Sequence, residues 1–115
     1  MNINVNRVKI CVTVPRDNTS EVLDAMCNAG AGTLSDSNYT YCTTTIKTIG
    51  TFLPNDKANP YIGETNKLEI VEEDKVEVIC EIDKLKKVIS ILRKTQPYEE
   101  PAIDIIPLID EDSLV

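Results

Sequence analysis

The feature that most limits what this chain can fold into is the unbroken alternation of side chains over residues 7–14. Successive side chains of a β-strand point to opposite faces, so such an alternation is typical of a strand with one buried face. The apolar set that would share this face is Val8, Ile10, Val12 and Val14. We predict a half-buried strand here, ended by Pro15, whose buried face requires a covering layer.

Two segments have the periodicity of helices and would supply that layer. The first, 19–29, has an N-cap candidate in Asn18 and the capping-box spacing from Asn18 to Glu21. The second, 84–94, follows the N-cap candidate Asp83 and has the clearest helical spacing in the chain. Its apolar side chains are those of Leu85, Val88, Ile89 and Leu92.

The remaining strands are predicted over 38–48, 68–71, 75–82 and 102–107. The middle two form either a hairpin or one long strand with a bulge or bend near the acidic residues 72–74. Pro107 cannot donate a ladder hydrogen bond, which favours an edge or an end of the sheet for the last strand. Residues 53–66 contain two prolines and a glycine and are predicted to be a long loop.

The order strand, helix, strand, strand, helix, strand is typical of a ferredoxin-like βαββαβ sandwich. This is an α+β fold in which two helices cover one face of an antiparallel sheet. We expect one domain over 1–115, with a core over about 6–108 and an acidic C-terminal tail over 109–115. The other sheet face would lack helices, and burial against further copies of the chain is expected there.

Composition excludes several classes of function. The net charge of −7 argues against nucleic acid as the main partner, because binding to phosphates relies on basic surface. The chain contains no histidine, which excludes catalytic triads and zinc sites that depend on imidazole. Its four cysteines form no CxxC pair. No apolar run is long enough to span a membrane, so we expect a cytoplasmic protein. We also expect no cofactor, because the sequence lacks a glycine-rich phosphate loop and a cluster with metal-ligand spacing.

Residues 96–101, with the sequence Gln-Pro-Tyr-Glu-Glu-Pro, form a stiff corner between the last helix and the last strand. Tyr98, Glu99 and Glu100 are the first candidates for a ligand site, because adjacent carboxylates can hold a cation. Asp104 would complete a tentative metal set with Glu99 and Glu100. The alternative is an architectural corner, in which the acids cap backbone N–H groups or pair with a lysine across a subunit boundary.

A second group of candidates lies around the predicted loop. Gly50 and Phe52 precede it, and Asn59 and Tyr61 lie within it. They would line a cleft between subunits; the alternative is that the two aromatic rings pack the loop onto a neighbouring subunit. Cys42 is either a reactive thiol or, as the more ordinary interpretation, a small packing residue. Signals of an enzyme are missing, so we expect a non-catalytic protein.

Several segments resemble, in register, a known family. They are Ala29-Gly30-Ala31-Gly32, Tyr39, Cys42, Gly50-Thr51-Phe52-Leu53-Pro54, Ala58-Asn59-Pro60-Tyr61-Ile62-Gly63, Leu68-Glu69-Ile70-Val71-Glu72-Glu73 and Pro97-Tyr98-Glu99-Glu100-Pro101-Ala102-Ile103-Asp104. Together they resemble a stand-alone version of the middle, inserted domain of the YqfO-type, or NIF-three-like, dinuclear-metal-centre proteins. That domain is similar in fold to CutA and PII signalling proteins, which assemble as trimers.

The resemblance implies a trimeric module that binds a small ligand or a protein partner at subunit boundaries. Two alternatives remain open: a CutA-type protein that binds divalent cations through Glu99 and Glu100, and a structural lid for a separate YqfO-like core. The metal-ligating domain of the larger proteins has no counterpart in this sequence. Gln96 stands where the family usually has histidine and Ile103 where it usually has tyrosine, so roles of those side chains do not transfer.

Overall fold

The β-strands and α-helices of the computed structural model, which describes residues 5–114, follow the predicted order. The elements are β1 Arg7–Pro15, α1 Thr19–Asn28, β2 Thr43–Phe52, β3 Glu69–Glu81, α2 Ile82–Thr95 and β4 Ile103–Leu108. Short 3-10 turns occupy Arg16–Asn18 and Glu111–Leu114. Of the predicted acidic tail, Val115 lies outside the described residues.

The four strands form one antiparallel sheet in the order β2-β3-β1-β4. The two helices lie on one face, so the fold is the predicted α+β, ferredoxin-like arrangement. Pro107 lies in β4 at the edge of the sheet, where its missing N–H costs no hydrogen bond to a further strand.

The core lies between the sheet and the helices. Its buried apolar side chains from β1 are the predicted set, and α1 and α2 add Val22, Met26, Val88 and Leu92. Leu85 and Ile89 pack against this cluster while half-buried. The periodicity of α2 therefore predicted the buried face of that helix correctly.

The acidic residues 72–74 do not bend the chain. β3 runs as one strand, and its pairing with β1 and β2 continues without a bulge. The prediction of one long strand is thus confirmed without its bend, and the hairpin is wrong. Glu73 and Asp74 are both buried at 7 % exposure and point to opposite faces of the sheet. Three adjacent acids are typical of a turn. Here Glu73 accepts a hydrogen bond from Tyr98 on one face of the strand, and Asp74 accepts one from Thr19 on the other face.

Boundaries of other predicted elements also shift. The second strand is predicted over 38–48 but begins at Thr43, because Tyr41 has a φ of 57° and cannot continue a strand. It then runs through Gly50 to Phe52 instead of stopping before the glycine. Cys42 precedes the strand and is exposed, so its interpretation as a packing residue within a strand is wrong.

The predicted helix caps are also wrong in detail. Asn18 takes the N-cap position of α1, but its backbone is helical and its side chain makes no capping hydrogen bond. A 3-10 turn already precedes the helix, which leaves Asn18 without the extended geometry that a capping side chain needs. Helix α2 begins before Asp83, and Glu81 is its N-cap residue.

The sheet face opposite the helices, which we call the helix-free face, exposes Ile46 on β2 and Ile106 on β4. Lys9 and Lys75 flank Glu77 on the same face, at 3.6 and 3.8 Å. The molecule measures 52 × 29 × 24 Å, and none of its described helices is long and apolar enough to cross a membrane.

Candidate functional site

A cavity of about 330 Å³ opens on the helix-free face, where the sheet meets the loop of residues 53–66 and the corner of residues 97–102. Thr13, Phe52 and Glu73 contribute its floor, since the strand register places all three on that face. Pro54 is buried, and its carbonyl accepts a hydrogen bond of 2.7 Å from the backbone N–H of Asn66. The loop is thus an ordered wall of the cavity.

The polar centre of the cavity is a hydrogen bond between a tyrosine and a buried carboxylate. The Tyr98 hydroxyl donates to Glu73 Oε2 at 2.6 Å. Burial raises the pKa of Tyr98 far above its ordinary value of 10.0, and the hydrogen bond to Glu73 adds to the shift. Tyr98 is therefore a protonated donor at neutral pH.

Gly50 provides the space that the Glu73 side chain occupies. A Cβ at position 50 would overlap Glu73 Oε1. Gly50 lies opposite Val71 in the ladder, so Glu73 reaches it from the next position on the same face. A glycine inside a strand often marks such a close approach.

Aromatic rings form the cavity wall around this hydrogen bond. The Tyr98 ring lies edge-on to Phe52, with centroids 6.1 Å apart, and to Tyr61, with centroids 6.4 Å apart. Edge-to-face pairs at this distance are favourable, because the positive edge of one ring meets the negative face of the other. Three rings from three segments of the chain thus fix one wall.

Gln96 holds the backbone of Tyr98 in place. Its side-chain amide donates to the Tyr98 carbonyl and accepts from the Tyr98 N–H, both at 2.7 Å. The side chain is buried at the end of α2, so both hydrogen bonds are shielded from water. At the cavity entrance, the Asn59 N–H donates to Glu99 Oε1 at 3.0 Å and joins the loop to the corner.

The structure brings together most of the residues that the sequence predicted. Those that line the cavity are Phe52, Tyr61, Tyr98, Glu99 and Glu100, while Gly50 and Asn59 contact lining residues. Cys42 and Asp104 are not among the lining residues. Asp104 lies in β4 opposite Cys11, away from Glu99 and Glu100.

Metal binding by those acids receives no geometric support. No group of three or more Cys, Asp or Glu side chains within residues 5–114 is close enough to hold an ion. Three of the four thiols are also poorly suited to nucleophilic chemistry. Burial raises the pKa of Cys11 and Cys27 above the ordinary value, and that of Cys80 to about 11.

Glu73, which accepts the hydrogen bond of Tyr98 in the cavity, is a site residue that the sequence did not predict. It stands in an acidic run that resembles a bend, so nothing marked it as a buried side chain. One signal was available: Gly50 interrupts a strand pattern, and such a glycine indicates that another group approaches the backbone closely. The partner of that glycine follows only from the strand register.

Curated relatives match nearly all of this chain but only part of their own length. A GTP cyclohydrolase 1 type 2 homolog from Halalkalibacterium halodurans is 45% identical over 103 residues, which are 90% of this chain and 27% of that protein. The homolog from Bacillus subtilis is 40% identical over 100 residues, 87% of this chain and 26% of that protein. The chain thus spans about a quarter of these relatives. No protein-family model matches it.

Solved structures agree with this relationship. A Bacillus cereus protein related to NIF3 superposes with a TM-score of 0.76 at 35% identity, over 94% of this chain and 27% of that one. The divalent cation tolerance protein CutA from Archaeoglobus fulgidus gives 0.63 at 17% identity, over 89% and 83% of the two chains. B. subtilis GlnK, in a complex with ATP, gives 0.57 at 12% identity, over 90% and 82%.

The last two likenesses show the fold, which is that of CutA and GlnK. The sequence matches go further, since they cover 87–90% of this chain at 40–45% identity. Over nearly its whole length the chain is therefore similar to a segment that makes up about a quarter of the NIF3-related GTP cyclohydrolase 1 type 2 homologs, and its fold is that of CutA.

Proposed function

We propose that this chain is a non-catalytic, trimeric binding module, which takes a small ligand or a partner segment in the cavity at its subunit boundaries. The observation that carries the proposal is the position of the cavity. It opens on the helix-free face, which also carries exposed isoleucines that a monomer would leave in water.

The helix-free face supports self-association. Ile46 and Ile106 are each 46% exposed at opposite edges of the sheet. Covering such a face with further copies of the chain removes apolar surface from water. The CutA and PII proteins that the chain resembles assemble as trimers, and in that arrangement the cavity would lie close to a neighbouring subunit.

The chemistry of the cavity supports binding rather than catalysis. A cavity of this volume lies at the lower end of the range for small-molecule sites. Its aromatic wall is rigid, and its central tyrosine stays protonated at neutral pH. A tyrosine so reluctant to ionise is a poor general base, and the chain contains no histidine to replace it.

Size-exclusion chromatography with multi-angle light scattering tests this proposal. We expect a species of three times the 12.8 kDa chain mass at micromolar concentration. A stable monomer across that range would contradict the proposal, because the cavity would then have no subunit boundary.

The share of each relative that is matched favours a second candidate, a lid that docks on a core of the kind formed by the remaining three quarters of a NIF3-like protein. Co-purification of the tagged chain with a core of that kind, at a fixed stoichiometry, would favour the lid. Recovery of a homotrimer alone would favour the first candidate.

A further inference from the structure

We propose that the cavity binds a small organic cation, a protonated amine or a guanidinium, which pairs with the Glu73 carboxylate and lies against the rings of Tyr61 and Tyr98. This inference rests on the proposed function, in that the cavity must be a ligand site. It adds the chemical class of the ligand.

The first observation is that Glu73 is buried without a cation. It is 7% exposed, it lines the cavity, and within residues 5–114 its side chain accepts one hydrogen bond, from the neutral Tyr98 hydroxyl. A carboxylate removed from water is costly unless it is paired. Glu73 Oε1, which lies against Gly50, has no hydrogen-bond donor among the side-chain contacts of the described chain.

The neighbouring acid, Asp74, differs from Glu73 in having a cation beside it, although its Oδ1 makes no hydrogen bond. Asp74 is equally buried, on the opposite face of β3. It accepts a hydrogen bond of 2.7 Å from Thr19 and lies 3.5 Å from the Arg16 guanidinium. The positive charge that Asp74 obtains from within the chain has no counterpart beside Glu73.

The second observation is the sign of the charge around the cavity. Glu73, Glu99 and Glu100 line it, and no lysine or arginine within the described chain does. Lys57 lies in the loop wall, but its side chain is exposed and is not part of the lining. Glu73 is buried while Glu99 and Glu100 are exposed, so the lining carries negative charge at its floor and at its rim, and this charge attracts cations.

The third observation is the aromatic wall. Tyr61 and Tyr98 stand at 86° to each other, so a ligand in the cavity meets a ring face as well as a ring edge. A cation within about 6 Å of a ring centroid is attracted to the ring face. Carboxylate and aromatic groups together are the usual environment for ammonium and guanidinium groups.

Other classes of ligand fit less well. A nucleotide would bring phosphates towards three carboxylates with no basic group among the described lining residues to offset them. A hard metal ion requires about six oxygen ligands, whereas no cluster of three metal-binding side chains occurs in the described chain. An organic cation needs only one carboxylate and a ring face.

Agmatine, which carries an ammonium and a guanidinium group, is the probe for the experiment. Isothermal titration calorimetry on the wild-type oligomer should give a Kd below about 1 mM, which weakens as salt is added. NMR shifts should concentrate on Phe52, Tyr61 and Tyr98. ADP, the neutral 1,6-hexanediol and manganese chloride should each bind at least about tenfold more weakly.

Variants assign the interaction to residues. Glu73→Gln preserves shape and should weaken agmatine binding by about tenfold or more. Tyr61→Ala changes an exposed side chain, so it tests the aromatic wall without disturbing the core. We expect it to weaken agmatine binding by about threefold or more. Glu21→Gln removes the same charge as Glu73→Gln, but from an exposed position on helix α1. It should leave the affinity for agmatine unchanged.

Each contrary outcome is distinct. Tight binding of ADP or manganese with none of agmatine would overturn this inference and leave the proposed function standing. Binding of agmatine only after the oligomer is dissociated would mean that a neighbouring subunit supplies the cation, which also overturns it. A monomeric chain that binds no probe would overturn both.

Discussion

At the scale of single residues, Gly50 and Glu73 depend on each other. The missing side chain of Gly50 leaves room for the Glu73 carboxylate, which in turn accepts the Tyr98 hydroxyl. Each residue alone is unfavourable, because a glycine weakens a strand and a buried acid is costly. Together they place a hydrogen-bonded carboxylate at the floor of the cavity.

Gly50→Ala should therefore destabilise the fold by about 1–3 kcal/mol, because the new methyl group overlaps Glu73 Oε1. Urea denaturation gives the free energy of unfolding. In a Glu73→Ala background the same substitution should cost much less, since the overlapping group is gone. Equal costs in both backgrounds would show that the carboxylate does not occupy this space.

Tyr98 should also impose a limit on stability at high pH. Its pKa is raised in the folded state, so its contribution is complete below the ordinary value of 10.0 and is lost as pH rises through the folded value. Wild-type stability should fall more steeply above about pH 10 than that of Tyr98→Phe. Absorbance at 295 nm should lose its most alkaline tyrosine step in that variant, and an unchanged titration would contradict the assignment.

At the scale of elements, side-chain periodicity predicted which segments form strands and helices, and it failed where polar groups find tertiary partners. The alternation in β1 and the apolar stripe of α2 determine buried faces, and burial dominates local structure. The acids 72–74 and Gly50 resemble breaks in the chain. Their long-range contacts hold them inside strands, and no local pattern encodes those contacts.

The same distinction applies to the candidate site. The sequence predicted its aromatic residues and the acids of the corner, because a proline-bounded corner and a long loop often carry function. It could not predict Glu73, or that Gln96 holds Tyr98 through both backbone groups. Those contacts join residues that come together only in the tertiary fold.

The start of α2 is tied to a distant loop through the carboxylate of Glu81. Ser35 donates to it from its hydroxyl, at 2.7 and 2.9 Å, and from its backbone N–H, at 3.2 Å. These hydrogen bonds, led by that of the hydroxyl, lower the pKa of Glu81. The stabilisation is present above the ordinary value of 4.5 and lost as pH falls through the folded value.

Ser35→Ala should cost only about 0.5 kcal/mol at pH 7, since the pair is exposed. The difference in thermal midpoint between wild type and variant should shrink as pH falls below about 4. Ser37→Ala, in the same loop but away from Glu81, serves as the control. A difference that persists in acid would contradict a role for the ionised carboxylate.

At the scale of the whole molecule, the helix-free face should hold the proposed trimer together. Ile46→Asp combined with Ile106→Asp places charges in that interface and should raise the dissociation constant by at least about 100-fold. Light scattering across a dilution series measures this change. Ile82→Asp is the matched control, because Ile82 is 45% exposed and lies at the first position of α2, where an acid is tolerated. Equal dissociation by the control would place the interface elsewhere.

The position of β1 between β3 and β4 has a consequence for how the chain folds. Within the described sheet, β1 precedes both of its partner strands in the sequence, and the ion pair of Arg7 with Asp110 joins residues 103 positions apart. Non-local pairing of this kind slows folding, since the entropy of loop closure is lost before the stabilising contacts form. Until β3 and β4 have been synthesised, both edges of the valine-rich strand β1 remain unpaired. A chain that is slow to complete its sheet is exposed to pairing with other nascent copies, so its yield should depend on expression rate and on chaperones more than its final stability suggests.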